Sequence, residues 1–516
     1  MSNADPIVTT KSGKVEGFVL NGLHIFKGIP YAAPPVGNLR WRRPQPVEPW
    51  SGVRPAKEYG CISFQNLMPP SANAPGVPDF GSQTQSEDCL SLNIWTPGLD
   101  DAKRPVLFWI HGGGFIMGAG TEGFLDDGVL ASRGDIVVVS INYRLGALGF
   151  INLKEVTGGK IPATGNEGLL DQVAALEWVR DNIAAFGGDP ENITIGGFSA
   201  GGMSVGALLA MPAARGLFSK AMNRSGAANV IGTLESAVKV TRQYLTLFGL
   251  TGKDIDGIYA LTPQKLLEGQ QELSARLRAS EYRATPFQPV VDGSDFTEMP
   301  MVSIRNGSAR NVTLMAGNAR DELKAMNAND PAIRDIDEAG VIARLGKLLP
   351  ADKVPGLVKA YRESKQSRGE NVAPPDILGA INTDMMFRIP TIQLVEAQRD
   401  NGAKAYNYLF TYPSPAMGGA LGAMHGLDNP FLFGALDAVF TGTTPETARL
   451  AEKLQDSAIA FMKTGDPSCA SAGTWPVYGE NRATMLWDLD AKVTEAPFDA
   501  ERAAWDGIDL ANTRPM

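Results

Sequence analysis

The sequence predicts an α/β fold with a large, mostly parallel central sheet flanked by helices. Three observations carry that reading. Residues 105–110 (PVLFWI) and 136–142 (IVVVSIN) are apolar runs without alternation, as strands covered on both faces require. Residues 168–186 follow with Leu169, Leu170, Val173, Leu176, Trp178, Val179 and Ile183 at helical spacing, until GGDP at 187–190 ends the pattern. A short strand at 192–196 (NITIG) then leads through Phe198-Ser199 into a helix-forming stretch, AGGMSVGALLAM. Strand, helix, strand, turn and helix in that order are the repeating unit of a parallel sheet.

The remaining elements fit around that unit. Residues 15–50 alternate in short pieces broken by Pro and Gly, which reads as small strands and loops. Residues 312–316 (VTLMA) read as another buried strand. The chain is expected to form one unit over 1–516, with 225–400 as helical insertions that supply part of a substrate pocket. With 44% hydrophobic and 20% charged residues it can bury a large core, which excludes wholesale disorder. The net charge of −9 is spread along the chain and argues against nucleic acid or an anionic membrane as partner. No run of about 18 apolar residues occurs, so no membrane span is expected.

The chemistry concentrates in three places. Gly197-Phe198-Ser199-Ala200-Gly201 is a G-x-S-x-G between a predicted strand and a predicted helix, the setting of a nucleophile elbow. Such a turn lifts the Ser199 hydroxyl clear of the sheet and aims the free N–H groups of a helix start at it. His111-Gly112-Gly113-Gly114-Phe115 follows the strand PVLFWI. Three consecutive glycines are costly to order, so they suit a backbone that must turn its N–H groups toward a developing oxyanion. Gly113, Gly114 and Ala200 are the expected donors. Only three histidines exist, His24, His111 and His425. His111 belongs to the glycine loop and His24 to an alternating segment, which leaves His425, in MHGLD, as the base. The acid must lie between Ser199 and His425, and the strand at 312–316 points to Asp321-Glu322 after it. The residues themselves do not choose between these two.

These motifs lie inside longer blocks, among them FKGIPYAAPPVGNLRW, SEDCLSLNIW, WIHGGGF, NYRLGALGF, GGFSAGG, GNARDE and HGLDNPFLFG. In that order they resemble the type-B carboxylesterases, the cholinesterase-like branch of the α/β-hydrolases, over most of the chain. The resemblance implies an α/β-hydrolase fold and hydrolysis of small to medium apolar esters by Ser199, Glu322 and His425 through an acyl-enzyme. It implies an oxyanion hole of Gly113, Gly114 and Ala200, and Ser225 as a support on the acid side. It implies buried ion pairs Arg40–Glu87 and Arg144–Asp171, and a disulfide between Cys61 and Cys89. That disulfide would favour a periplasmic or secreted location, free thiols a cytoplasmic one. No metal or organic cofactor is expected, and the protein is expected to be a monomer or homodimer. Three departures stand out: Phe198 where the family usually has Glu, HGLDNP in place of HG-x-E-L-P, and Leu323 where Gly is usual. Two rival readings share the sequence, a carbamate or amide hydrolase with the same triad and a non-catalytic binding protein. Pocket-lining candidates are Phe64, Phe80, Phe287, Met326, Phe387 and Phe410, each of which core packing would equally explain.

Overall fold

The computed structural model describes residues 5–67, 83–125, 128–279, 285–328 and 330–510. The pocket candidate Phe80 lies outside them. An eleven-stranded sheet forms the body: β1 (Phe18–Leu20), β2 (Leu23–Pro30), β3 (Ser91–Thr96), β4 (Arg104–Ile110), β5 (Val137–Ile141), β6 (Gly188–Phe198), β7 (Lys220–Arg224), β8 (Thr313–Ala319), β9 (Ala405–Phe410), β10 (Ala483–Trp487) and β11 (Lys492–Glu495). Their spatial order is β11-β10-β9-β8-β7-β6-β4-β5-β3-β2-β1. From β10 through to β5 every pairing is parallel, and the outer pairings are antiparallel. This is the α/β-hydrolase fold.

The two apolar runs become β4 and β5 in the middle of the sheet. Every residue of β5 is buried, and Val106 to Ile110 of β4 are inaccessible to solvent. Helices cover both faces, which is why neither strand alternates. The predicted helix at 168–186 is α1 (Glu167–Asn182) continued by a 3₁₀ turn at Ile183–Phe186. Strand β6 starts earlier than the sequence predicts. Gly188 pairs with Arg104 ahead of a bulge, so the GDP turn signal lies inside the strand rather than before it. After β6 comes α2 (Ala200–Ala210), buried along its whole length. Between β7 and β9 the chain is largely helical, including Leu234–Thr246, Pro263–Ala279, Val354–Ser367 and Pro374–Thr383, and a π-helical turn at Asp384–Arg388. No helix among the described residues is long and apolar enough to cross a membrane.

Both implied ion pairs are present. Arg40 holds Glu87 through two bonds of 2.5 Å, and Arg144 holds Asp171 at 2.7 and 2.8 Å with both side chains at most 3% exposed. The implied disulfide is not: Cys61 and Cys89 are free thiols, as is Cys469. Cys89 is buried with its thiol bonded to Ser63 beside the Arg144–Asp171 pair, and burial pushes that thiol well above its ordinary range. It packs as a small apolar side chain with a weak donor, which leaves the Cys61 thiol unbridged. An oxidising compartment therefore has no disulfide to rest on. Titration of the unreduced, denatured protein should accordingly find three thiols per chain, where a Cys61–Cys89 bridge would leave one.

Candidate active site

The parallel sheet brings the ends of β4, β6, β8 and the loop after β9 to one edge, and the side chains meet there. Ser199 sits between β6 and α2 with φ +56° and ψ −122°, a conformation few non-glycine residues adopt. The turn is held by Ser199 N–H donating to the Arg224 carbonyl at the end of β7 (3.0 Å). Close approach explains the elbow's second glycine, since a Cβ on Gly201 would lie 2.0 Å from the Ile110 carbonyl oxygen. Ala200 opens α2, so its N–H has no intrahelical acceptor.

His425 Nε2 lies 2.9 Å from Ser199 Oγ, and His425 Nδ1 lies 2.5 Å from Glu322 Oε2. Glu322 is fully buried and its second oxygen accepts the Ala319 N–H at 2.7 Å. The geometry therefore separates the two adjacent acids. Asp321 faces the other way: its carboxylate accepts the Ala423 N–H at 2.9 Å while its own N–H donates to the Ala423 carbonyl. Asp321 thus ties down the loop that carries His425 two residues later, while Glu322 meets the imidazole itself.

The glycine loop runs directly past the elbow. A Cβ on Gly112 would lie 3.1 Å from Ser199 Cβ. Gly113 and Gly114 both take positive φ, +103° and +63°, and a Cβ on Gly113 would meet the Met117 carbonyl oxygen at 2.1 Å. His111 anchors the loop as expected. Its ring stacks on Tyr143 at 4.3 Å, its Nδ1 bonds the Gly112 carbonyl, and burial lowers its pKa to about 4, so it is neutral near pH 7. His24 lies far along the sheet on β2.

Other residues singled out in the sequence divide. Ser225 is fully buried with φ +47°, and its N–H donates to the Gly317 carbonyl on β8. Its hydroxyl has no partner among the described residues, so its tie to the acid-bearing strand runs through the backbone. Phe198 and Phe387 place their rings 4.6 and 5.2 Å from the His425 imidazole. Phe287 and Phe410 are core, Phe64 is half-buried, and Met326 is exposed. Sequence reasoning missed Arg224 and Glu122. Arg224 could have been noticed as a cation closing a short strand, KAMNR, that is buried throughout.

Glu122, beyond the glycine loop, is buried with its carboxyl accepting a hydrogen bond from Trp109 Nε1, and burial pushes that carboxyl to about 8. A carboxyl raised from 4.5 favours folding while protonated, so its contribution is complete below that value and is lost as pH rises through about 8. Glu122→Gln keeps an acceptor for Trp109 and should gain in Tm over the native protein as pH is raised from about 5 to about 9. Parallel melting curves across that range would show the native residue to be ionised in the fold.

The chain matches the carboxylesterase family model over residues 4–505. The chain belongs to the carboxylesterase family. The para-nitrobenzyl esterase of Bacillus subtilis (strain 168) is 38% identical over 96% of this chain and 97% of its own length. Phenmedipham hydrolase of Pseudarthrobacter oxydans is 34% identical over 93% of this chain and 94% of its own. Among solved structures, the Geobacillus stearothermophilus carboxylesterase EST55 superimposes with a TM-score of 0.84 at 36% identity, covering 97% of this chain and 99% of that one. This carboxylesterase is a serine-hydrolase-type enzyme that acts on esters.

Proposed function

We propose that Ser199, His425 and Glu322 are the nucleophile, base and acid of this carboxylesterase, and that it hydrolyses small to medium apolar esters through an acyl-enzyme. The hydrogen-bonded chain Ser199–His425–Glu322 carries the reading. His425 Nε2 takes the Ser199 proton as Oγ attacks the ester carbonyl. Glu322 fixes the tautomer with the proton on Nδ1 and stabilises the imidazolium that forms. The oxyanion is received by the N–H groups of Gly113, Gly114 and Ala200. His425 then protonates the leaving alcohol, and a water activated by the same imidazole cleaves the acyl-enzyme. The segment 225–400 contributes to the substrate pocket, a reading supported by Phe387 against His425 and by Thr285, whose methyl would lie 3.6 Å from a Cβ on Gly114.

A panel of p-nitrophenyl esters from acetate to octanoate, run beside matched carbamates and anilides, tests the substrate class. The reading expects kcat/KM to peak among the esters, and a carbamate or anilide as the best substrate would refute it. The oxyanion assignment has its own test. In Gly113→Ala the Cβ must displace the Met117 carbonyl, so the donors move, and kcat should fall by about 10²–10³. Unchanged kcat in that variant would remove Gly113 from the hole.

A further inference from the structure

Arg224 joins the two halves of the site. Its main-chain carbonyl, at the end of β7, holds the Ser199 N–H at 3.0 Å. Its guanidinium reaches across to the chain that follows His425: Nη2 donates to Asp428 Oδ2 at 2.6 Å and Nε to Asn429 Oδ1 at 3.2 Å. Asp428 and Asn429 start helix α3 (Asp428–Phe433), whose first turn is closed on the histidine segment by Asn429 N–H donating to the Gly426 carbonyl at 3.1 Å. Arg224 and Asp428 are at most 3% exposed, and the Tyr408 hydroxyl donates to the same Asp428 oxygen at 3.1 Å, while its ring packs under the guanidinium at 5.6 Å.

A buried ion pair is a poor source of net stability, because desolvating both charges offsets their attraction. Its fixed geometry is the better reason for its presence here. Phe198 offers the guanidinium no carboxylate from the elbow, and its carboxylate partner comes from the histidine side. We infer that Arg224 is a positioning residue: one side chain and its own carbonyl clamp the serine elbow to the histidine turn and thereby set the Ser199–His425 distance. The inference rests on the triad reading above. A planar fork can hold Asp428 and Asn429 together, which the single ammonium of a lysine cannot do in the same geometry.

The test separates positioning from folding. Arg224→Met alone would leave Asp428 buried and unpaired, so the informative variant is R224M/D428N, which removes both charges and keeps an acceptor for Tyr408. It should melt near the native temperature and bind substrate with unchanged KM. Its kcat and burst rate on p-nitrophenyl butyrate should fall by about 10²-fold, the effect of a misplaced base. Arg224→Lys should fold and lose about tenfold in kcat, a partial rescue. Native kcat in either variant overturns the inference, as does a loss confined to KM. Ser199→Ala, run alongside, keeps the two ideas apart. If it still turns over, the triad reading fails, whereas an inactive Ser199→Ala beside a fully active R224M/D428N overturns the clamp alone.

Discussion

Ser199→Ala should lower kcat for p-nitrophenyl esters by about 10⁶-fold, the scale seen when the nucleophile of a triad is removed. The fold should survive, because alanine meets the same φ of +56° as serine and the bond from the backbone N–H to the Arg224 carbonyl is kept. Any remaining rate would come from the glycine loop and the Ala200 N–H acting on bound substrate. The melting temperature and the turnover number, measured on one preparation, check both halves of this expectation. A folded variant retaining a tenth of native activity would place the nucleophile elsewhere.

Glu322→Gln should cost about 10⁴-fold in kcat, because an amide can donate to Nδ1 and so favour the wrong tautomer of His425. Asp321→Asn should behave quite differently. Its carboxylate accepts the Ala423 N–H, and an asparagine oxygen can do the same, so kcat should stay near native with a modest loss of Tm. The two residues are neighbours with equal chemistry, and only their opposite directions off β8 separate them. Steady-state kinetics on both variants decides the matter. A severe loss in Asp321→Asn beside an active Glu322→Gln would reverse the assignment.

That pair also shows where the sequence stops being informative. The sheet was legible because β4 and β5 are covered on both faces, so burial is written directly into their composition. The elbow and glycine loop were legible because positive φ and sub-van der Waals approaches exclude side chains, leaving glycine as a visible mark. With only three histidines, elimination led to His425, the one that the fold brings to Ser199. The acid did not, since either carboxylate satisfies the same spacing and the backbone's exit direction from a strand leaves no local signature. The Cys61–Cys89 bridge failed for a related reason. Family likeness supplied a pairing, while the packing of Cys89 against Ser63 beside a buried ion pair is a three-dimensional fact. Arg224 was overlooked because its partner lies 204 residues away.

The proposed mechanism requires a covalent intermediate formed at Ser199. Stopped-flow hydrolysis of p-nitrophenyl butyrate at enzyme concentrations high enough to resolve one turnover tests it most directly. The prediction is a burst of one p-nitrophenolate per active site, absent in Ser199→Ala, with the trapped acyl group recovered on the peptide spanning residues 188–203. A well-folded native protein whose product appears linearly from the first instant, with no acyl group on that peptide when quenched during turnover, would contradict it.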